Sequence, residues 1–286
     1  MSSMSDIREI GNAAATGRVS AHGATVLSWR PTGHEEVLFV SPRAVLDGTA
    51  AIRGGIPVCW PWFGAGPGGD RSPRHGLART ARWALEKQVD GERETALTYL
   101  LTAHCDPRFG QLYPYLFETR LTAVFGERLR VSLQVSNTGA EPLVFEAALH
   151  TYLRVGDVRT VRVGGLGGAA YLDMVGAPTQ RVQESDELVI AGETDRIYES
   201  SRTVTVTDPV LRRRLVVETT GAAQRVVWNP GEQTAHTLAD LGDAWPGFLC
   251  VESANVRGHT VVIEPGQSGS MGYLLAVHEL DDAVEG

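Results

Sequence analysis

The segment ERLRVSLQVSNTGAEPLVFEAALHTYLRV, residues 127–155, decides the fold class of this chain. Four apolar residues from Leu129 to Val135 alternate with polar ones, which is the period of a β-strand with one buried face. The turn sequence NTGAEP follows, and an apolar run resumes at Leu143. The segment therefore predicts two strands joined as a β-hairpin.

The same alternation recurs along the rest of the chain, between turns that contain glycine and proline. The further strand candidates are ATVLSWR (24–30), EVLFV (36–40), ETALTYLLTAHC (94–105), LFETRLTAVF (116–125), RTVTVTD (202–208), RRLVVET (213–219), QRVVWN (224–229), FLCVESANV (248–256), TVVIEP (260–265) and GYLLAVHEL (272–280). Only residues 233–245 indicate a short helix. The glycine-rich stretches within 161–173 and 187–200 read as excursions from the sheet. Many short strands predict an all-β sandwich or barrel.

Length and composition indicate one globular domain over residues 1–286. Of the 286 residues 43% are hydrophobic, and the net charge of −8 argues against a nucleic-acid or anionic-membrane partner. The three cysteines, Cys59, Cys105 and Cys250, show neither a disulfide framework nor zinc-ligand spacing. No apolar run has the length of a leader or a membrane span, so we expect a protein of the reducing cytoplasm.

Two strands carry titratable residues in unusual places. On the run from Leu143, one face is apolar and the other carries Glu146, His150 and Tyr152, which suits either a cleft for a polar ligand or an ordinary solvated face. Glu252 interrupts the apolar strand 248–256. If its carboxylate is desolvated, its pKa rises toward the range of a general base; the alternative is a structural ion pair with an arginine.

An arginine cluster stands out in this acidic chain, which has a single lysine. RSPRHGLARTAR (71–82) holds four arginines around His75, and Arg53 precedes them. Such a cluster is either a solvated basic loop or a grip for a small anion. Trp60, Trp62 and Phe63 lie between, either as a sugar-stacking surface or as part of the core.

Several motifs together resemble the aldose 1-epimerase superfamily, in its hexose-6-phosphate mutarotase branch. They occur in the family's order from about residue 20 to residue 278: IRGGIPVCWPWFG (52–64), RHGLART followed by tryptophan (74–83), ALHTYLRV (148–155), GETDRIY (192–198), VVWNPG (226–231) and CVESANV (250–256). The resemblance implies a large antiparallel β-supersandwich, like that of galactose mutarotase, with an open concave face for ligand and few short helices.

The resemblance also implies roles for individual residues. By motif match, His150 and Glu252 correspond to the family's catalytic histidine and glutamate. Arg53, Arg79 and Asp195 correspond to substrate-binding positions. Arg74 does so as well, although relatives often carry glutamine there. His75 is expected to order its loop or to contact substrate.

The implied reaction interconverts the α and β anomers of a hexose 6-phosphate by opening and closing the hemiacetal ring. Glu252 would act as base at the C1 hydroxyl and His150 as acid at the ring oxygen, without a metal or cofactor. The expected partner is a small sugar phosphate, and the sequence leaves the oligomeric state open, with a monomer as one possibility. Two alternatives remain open: a mutarotase for unphosphorylated aldoses and a non-catalytic carbohydrate-binding β-sandwich.

Overall fold

The computed structural model describes residues 6–280, and strands dominate that range. The strands of the described range are β1 Ile7–Gly11, β2 Ala15–Ser20, β3 Thr25–Pro31, β4 Val58–Cys59, β5 Ala84–Asp90, β6 Thr95–Thr102, β7 Phe117–Phe125, β8 Leu129–Asn137, β9 Leu143–Phe145, β10 Ala147–Leu149, β11 Tyr152–Arg154, β12 Arg162–Gly164, β13 Ala170–Asp173, β14 Thr179–Val182, β15 Glu187–Val189, β16 Thr194–Tyr198, β17 Val204–Asp208, β18 Arg213–Thr220, β19 Gln224–Asn229, β20 Phe248–Asn255, β21 Val261–Ile263 and β22 Ser268–Glu279.

Helices are few and short within residues 6–280. The α-helices are α1 Pro107–Leu112 and α2 Gly231–Thr237, and 3₁₀ turns cover Ala78–Thr80, Gly242–Gly247 and Arg257–His259. The helix predicted near residues 233–245 is confirmed by α2 and the 3₁₀ turn that follows. Nothing in the described part of the chain forms a helix long and apolar enough to cross a bilayer.

Two large sheets, both built from antiparallel pairs, form the described part of the molecule. One has the strand order β15-β12-β17-β18-β22-β8-β7-β6-β5. The other has the order β14-β13-β16-β19-β20-β10-β4, with β11 also paired to β20. A three-stranded sheet (β1-β2-β3) and the β21-β9 pair complete the described fold. We call the sheet that contains β20 the site sheet. The predicted all-β sandwich is confirmed.

The hydrophobic core lies between the two large sheets. Leu149 and Val251 of the site sheet share one buried cluster with Leu133, Val217 and Leu275 of the other sheet. Because successive side chains of a strand point to opposite faces, the residues between these core positions face away from the core. Those residues decide what the outer face of the site sheet can bind.

The predicted hairpin over residues 127–155 is wrong. β8 pairs with β7 and β22, whereas β9 pairs with β21 and the next two short strands pair with β20. Asn137 stabilises the turn that follows β8, since its side-chain amide donates to the carbonyls of Glu141 and Ile263, each at 2.8 Å. The second apolar run is thus three short strands, of which β9 pairs with β21 while β10 and β11 belong to the site sheet.

Two further expectations about strands are corrected. Residues 36–40 form only isolated bridges, at Leu38 and Val40. The segments 161–173 and 187–200 are not excursions, because they supply β12, β13, β15 and β16. β16 lies inside the site sheet between β13 and β19, and it carries Asp195.

Candidate functional site

A cleft of about 630 Å³ opens on the outer face of the site sheet. That volume falls within the roughly 300–1,000 Å³ typical of small-molecule sites. All seven residues predicted for the site line it: Arg53, Arg74, His75, Arg79, His150, Asp195 and Glu252. They come from five separate segments of the sequence, and the fold brings them together.

His150 and Glu252 meet because the sheet is interrupted between β10 and β11. Both short strands pair with β20, and the gap between them lies opposite Glu252. Val251 donates its N–H across this gap to the carbonyl of Thr151, at 3.2 Å. As a result the His150 Nδ1 and Glu252 Oε1 atoms are 3.4 Å apart.

Glu252 is a fully buried carboxylate whose two oxygens accept no hydrogen bond from the residues the structure describes. Burial, and after it the charge of Asp195, raises the pKa of Glu252 well above its ordinary value. Within residues 6–280 no arginine is paired with it, so the ion-pair alternative considered for Glu252 is wrong. The carboxylate is desolvated and available to a ligand.

His150 is held between aromatic rings. It stacks on Tyr152 with ring centroids 4.9 Å apart and meets Trp228 edge-on at 5.8 Å. Desolvation, and after it the charges of Arg79 and Arg53, lowers the pKa of His150 to about 3. The imidazole is therefore neutral near pH 7 in the ligand-free protein, and the solvated-face alternative for its strand is wrong because His150 is buried.

Arg53 is placed by the two glycines that follow it. A Cβ atom on Gly55 would lie 2.1 Å from the Val26 carbonyl oxygen, and this close approach requires glycine. The Arg53 side chain is then fixed by Asp240, whose carboxylate accepts from Nε at 3.1 Å, and by the Tyr152 hydroxyl, which accepts from Nη1 at 3.2 Å. Arg53 also lines the cleft.

His75 orders the loop on which it lies. Its N–H donates to the carbonyl of Gly64 at 2.6 Å, and its Nδ1 accepts from the N–H of Gly64 at 3.3 Å. The acceptor role assigns the Nε2-protonated tautomer to the neutral ring. Burial, followed by the charges of Arg79 and His150, lowers the pKa of His75 well below 6.5. The expected loop-ordering role is supported, and the ring also lines the cleft.

The arginines of residues 71–82 divide into two groups. Arg74 and Arg79 line the cleft, and Arg79 donates from Nη2 to the Arg74 carbonyl at 2.6 Å. Its buried Nε has no hydrogen-bond partner among the described residues. Arg71 instead donates to the carbonyl of Leu112 at 3.0 Å, and Arg82 pairs with Asp6. The sequence pattern alone does not distinguish the two groups.

Asp195 lies on the same sheet face as the catalytic candidates. It is opposite Trp228, which is in turn opposite Cys250, two residues from Glu252. Desolvation raises the pKa of Asp195 to about 6, although the charge of Arg74 acts against this shift. The carboxyl group thus titrates near neutral pH.

The aromatic residues behave differently from one another. Trp60 and Trp62 are buried, and Trp60 packs against Phe117 with ring centroids 4.5 Å apart, so these two belong to the core. Phe63 lines the cleft, as does Trp228, which the strand pattern of 224–229 did not single out. Side chains alternate between the two faces of that strand, and this alternation, which puts Trp228 on the opposite face from the core residue Val227, could have identified it.

Sequence reasoning missed Asp240 as a partner of Arg53, and it did not indicate that Glu146 accepts from the backbone N–H groups of Phe63 and Arg257. The contact between Asp240 and Arg53 spans 187 residues of chain, which no local pattern can indicate. No group of three or more metal-ligating side chains occurs in residues 6–280.

Comparison with known proteins places this fold and cleft in a family. The family model for aldose 1-epimerase matches residues 6–274. The chain is 34% identical over 237 residues to a protein of Escherichia coli K12 provisionally named glucose-6-phosphate 1-epimerase, covering 81% of this chain and 77% of that protein. A protein of Cenchrus ciliaris with the same provisional name is 32% identical over 256 residues, covering 86% and 76%.

A solved structure agrees. A provisionally assigned mutarotase from Salmonella typhimurium superposes with a TM-score of 0.89 at 26% identity, covering 97% of this chain and 92% of that one. The matches extend over nearly the whole described fold, including β16, β20 and the loop that carries Arg79. This chain belongs to the aldose 1-epimerase family.

Proposed function

We propose that this protein interconverts the α and β anomers of a hexose 6-phosphate, with D-glucose 6-phosphate as the first substrate to test. The observation that carries the proposal is the placement of His150 Nδ1 3.4 Å from Glu252 Oε1 in a cleft that also contains Arg53 and Arg79. The provisional names of the E. coli and C. ciliaris relatives support the same substrate.

The acid–base pair suits ring opening. The C1 hydroxyl oxygen and the ring oxygen are bonded to the same carbon, so a base and an acid that serve them have to reach adjacent points. Glu252, with its raised pKa, takes the proton of the C1 hydroxyl, and His150 donates to the ring oxygen. The C1–O5 bond breaks, the aldehyde group turns about C1–C2, and the roles of the two residues reverse on closure.

The arginines suit a phosphate at C6. The ring oxygen is bonded to C5, which carries C6, so the acid at the ring oxygen lies next to the phosphate. Arg79 and Arg53 line the same cleft as His150, and after burial their charges are the main causes that lower its pKa, which supports a phosphate near the acid. A bound phosphate dianion offsets both charges, so substrate binding raises the pKa of His150 toward the range in which imidazolium donates a proton.

The cleft also offers contacts for the sugar. Asp195 and Arg74 supply polar groups for hydroxyls and for the phosphate, and His75 lines the same wall. Phe63 and Trp228 supply apolar surface for the C–H faces of the ring. This chemistry assigns no step to a metal ion or an organic cofactor.

The decisive experiment is NMR exchange between the anomers of glucose 6-phosphate, and separately of glucose, with and without protein. We expect acceleration for the phosphosugar. Acceleration for glucose alone would indicate a mutarotase for free aldoses, and binding without acceleration would indicate a carbohydrate-binding protein.

The phosphate grip has its own test. Arg79→Ala should raise KM for glucose 6-phosphate about tenfold or more, as expected for loss of a charge-assisted hydrogen bond, with a much smaller effect for glucose. Arg82→Ala is the matched control, because Arg82 belongs to the same segment but pairs with Asp6 away from the cleft. Equal effects of Arg79→Ala on both sugars would refute the grip.

A further inference from the structure

Arg257 has a backbone conformation that few side chains adopt. It follows β20 and begins the 3₁₀ turn Arg257–His259, with a φ of 54°. In that left-handed region a Cβ atom is crowded, and glycine is the residue that fits without strain. Strain of this kind persists where the surrounding structure enforces it, and it is concentrated at functional sites.

The side chain of Glu146 enforces this conformation. Glu146 is only 2% exposed, and one of its carboxylate oxygens accepts from the N–H of Arg257. The other oxygen accepts from the N–H of Phe63 at 3.0 Å. One buried carboxylate therefore joins two segments of the cleft rim, the loop after β4 and the turn after β20.

The side chain of Arg257 lies at the edge of the cleft, beside the residue that follows β13 and contacts the strand of Asp195. Arg257 lines the cleft, and its Nη2 lies 3.5 Å from the sulfur of Met174. The N–H of Met174 donates to the Asp195 carbonyl at 2.7 Å. A thioether is a weak acceptor, and no carboxylate within residues 6–280 forms an ion pair with Arg257, so its donors remain available for a ligand.

We propose that Arg257 is a further substrate-binding residue, which donates to the sugar hydroxyls beside C1, and that Glu146 is the positioning residue that holds it there. This inference rests on the proposed function. If Glu252 is the base at C1, the neighbouring Asp195 side of the cleft faces C2 and C3, whereas Arg79 and the phosphate lie on the opposite, His150 side.

Arg257→Gly tests the role of the guanidinium. Glycine accepts the φ of 54° and keeps the N–H that donates to Glu146, so the unfolding midpoint should not fall. KM should rise about tenfold for glucose 6-phosphate and for glucose alike, with little change in kcat, because the lost contact binds ground state and transition state equally. Arg212→Gly is the matched control, since Arg212 has a φ of 50° and does not line the cleft.

The outcomes separate the two proposals. Unchanged KM values for both sugars would overturn the role of Arg257, and a rise confined to the phosphosugar would overturn its assignment to hydroxyls. If the wild-type protein accelerates neither exchange, the proposed enzymatic function fails. Calorimetric Kd values of the two sugars for wild type and Arg257→Gly then test the binding role. Unchanged Kd values would overturn it, and a rise in Kd for the phosphosugar alone would overturn the assignment to hydroxyls.

Glu146→Gln tests the positioning role, because an amide offers one acceptor in place of two. KM should rise for both sugars, as it should in Arg257→Gly. The Glu146→Gln, Arg257→Gly double variant should have a KM little higher than that of Arg257→Gly alone. Additive effects on KM would contradict positioning through Arg257. Glu146→Asp, which retains both oxygens on a shorter side chain, serves as the second variant if the glutamine variant fails to fold.

Discussion

At the scale of single residues, Glu252 gives the sharpest prediction. Its carboxylate is buried and accepts no hydrogen bond from the described residues, so Glu252→Gln removes the charge without removing a structural partner. We expect turnover to fall about 10²–10⁴-fold, the usual contribution of a positioned base, while affinity for glucose 6-phosphate is retained. NMR exchange and calorimetry measure the two quantities.

The control for this variant is Glu264→Gln, which makes the same chemical change at an exposed position outside the cleft. It should leave both turnover and affinity unaltered. Activity that survives in Glu252→Gln would show that another group takes the proton of the C1 hydroxyl.

Asp195 predicts a dependence of stability on pH. Its pKa is raised from 3.8 to about 6 in the folded protein, so the folded state holds this proton more tightly than the unfolded state does. The stabilising contribution is complete below the unfolded pKa and is lost as the pH rises through the folded pKa. Relative to Asp195→Asn, the wild-type free energy of unfolding should therefore fall between about pH 4 and pH 6.

Urea titrations of both proteins across this range measure the difference, which should be on the order of 1–3 kcal/mol. His150, with a lowered pKa, contributes the opposite slope, but it is present in both proteins and cancels in the comparison. A difference that does not change with pH would mean that Asp195 titrates at its ordinary value.

At the scale of elements, Gly76 predicts how the arginine loop is held. Its φ is 76°, and a Cβ atom there would lie 2.1 Å from the Trp60 carbonyl oxygen. Gly69 has the same φ but no neighbouring atom within 4 Å of such a Cβ. Gly69→Ala should therefore lower the free energy of unfolding only by the backbone strain, about 1–2 kcal/mol. Gly76→Ala should lower it by about 4 kcal/mol or more, because the loop that carries Gly76 has to move away from Trp60.

Denaturant unfolding of the two variants tests this prediction, and equal losses would contradict it. Because Gly76 lies between His75 and Arg79, we also expect Gly76→Ala to weaken phosphosugar binding in whatever fraction remains folded. Gly69→Ala should bind normally.

The same scale shows what the sequence could predict. Strands such as β7, β8 and β22 were identified because alternation is a local property of a half-buried strand. The partner of β9 was not, since pairing with β21 depends on residues more than a hundred positions away. β16 was missed because the glycines and acidic residues around it resemble a turn.

The site shows a similar division. The family resemblance identified the seven predicted residues, and in the structure all seven line one cleft. The partners that fix them were not predictable: Asp240 holds Arg53 from a distant turn, and Glu146 reaches backbone N–H groups in two separate loops. Side chains that bind a backbone leave no residue-type pattern in the sequence.

At the scale of the whole molecule, a net charge of −8 coexists with a cleft lined by Arg53, Arg74 and Arg79. Charges on the surface are screened beyond a Debye length of about 8 Å at physiological salt, so distant carboxylates oppose phosphate only weakly. Under the proposed function, Arg53 and Arg79 contact the phosphate within the cleft, where screening is smaller. Selectivity for a phosphosugar should therefore depend on these two local contacts.

The final prediction concerns the stability of the entire fold. A ligand that binds only the native state stabilises it by about 2.7 kcal/mol at a concentration of 100 times its Kd. For a chain of this size that corresponds to a rise in Tm of roughly 5 °C or more. Thermal unfolding with glucose 6-phosphate should show this rise, whereas glucose at the same concentration should give a smaller one. Arg79→Ala should reduce the difference between the two sugars and Arg82→Ala should preserve it; equal shifts in the wild-type protein would contradict phosphate recognition.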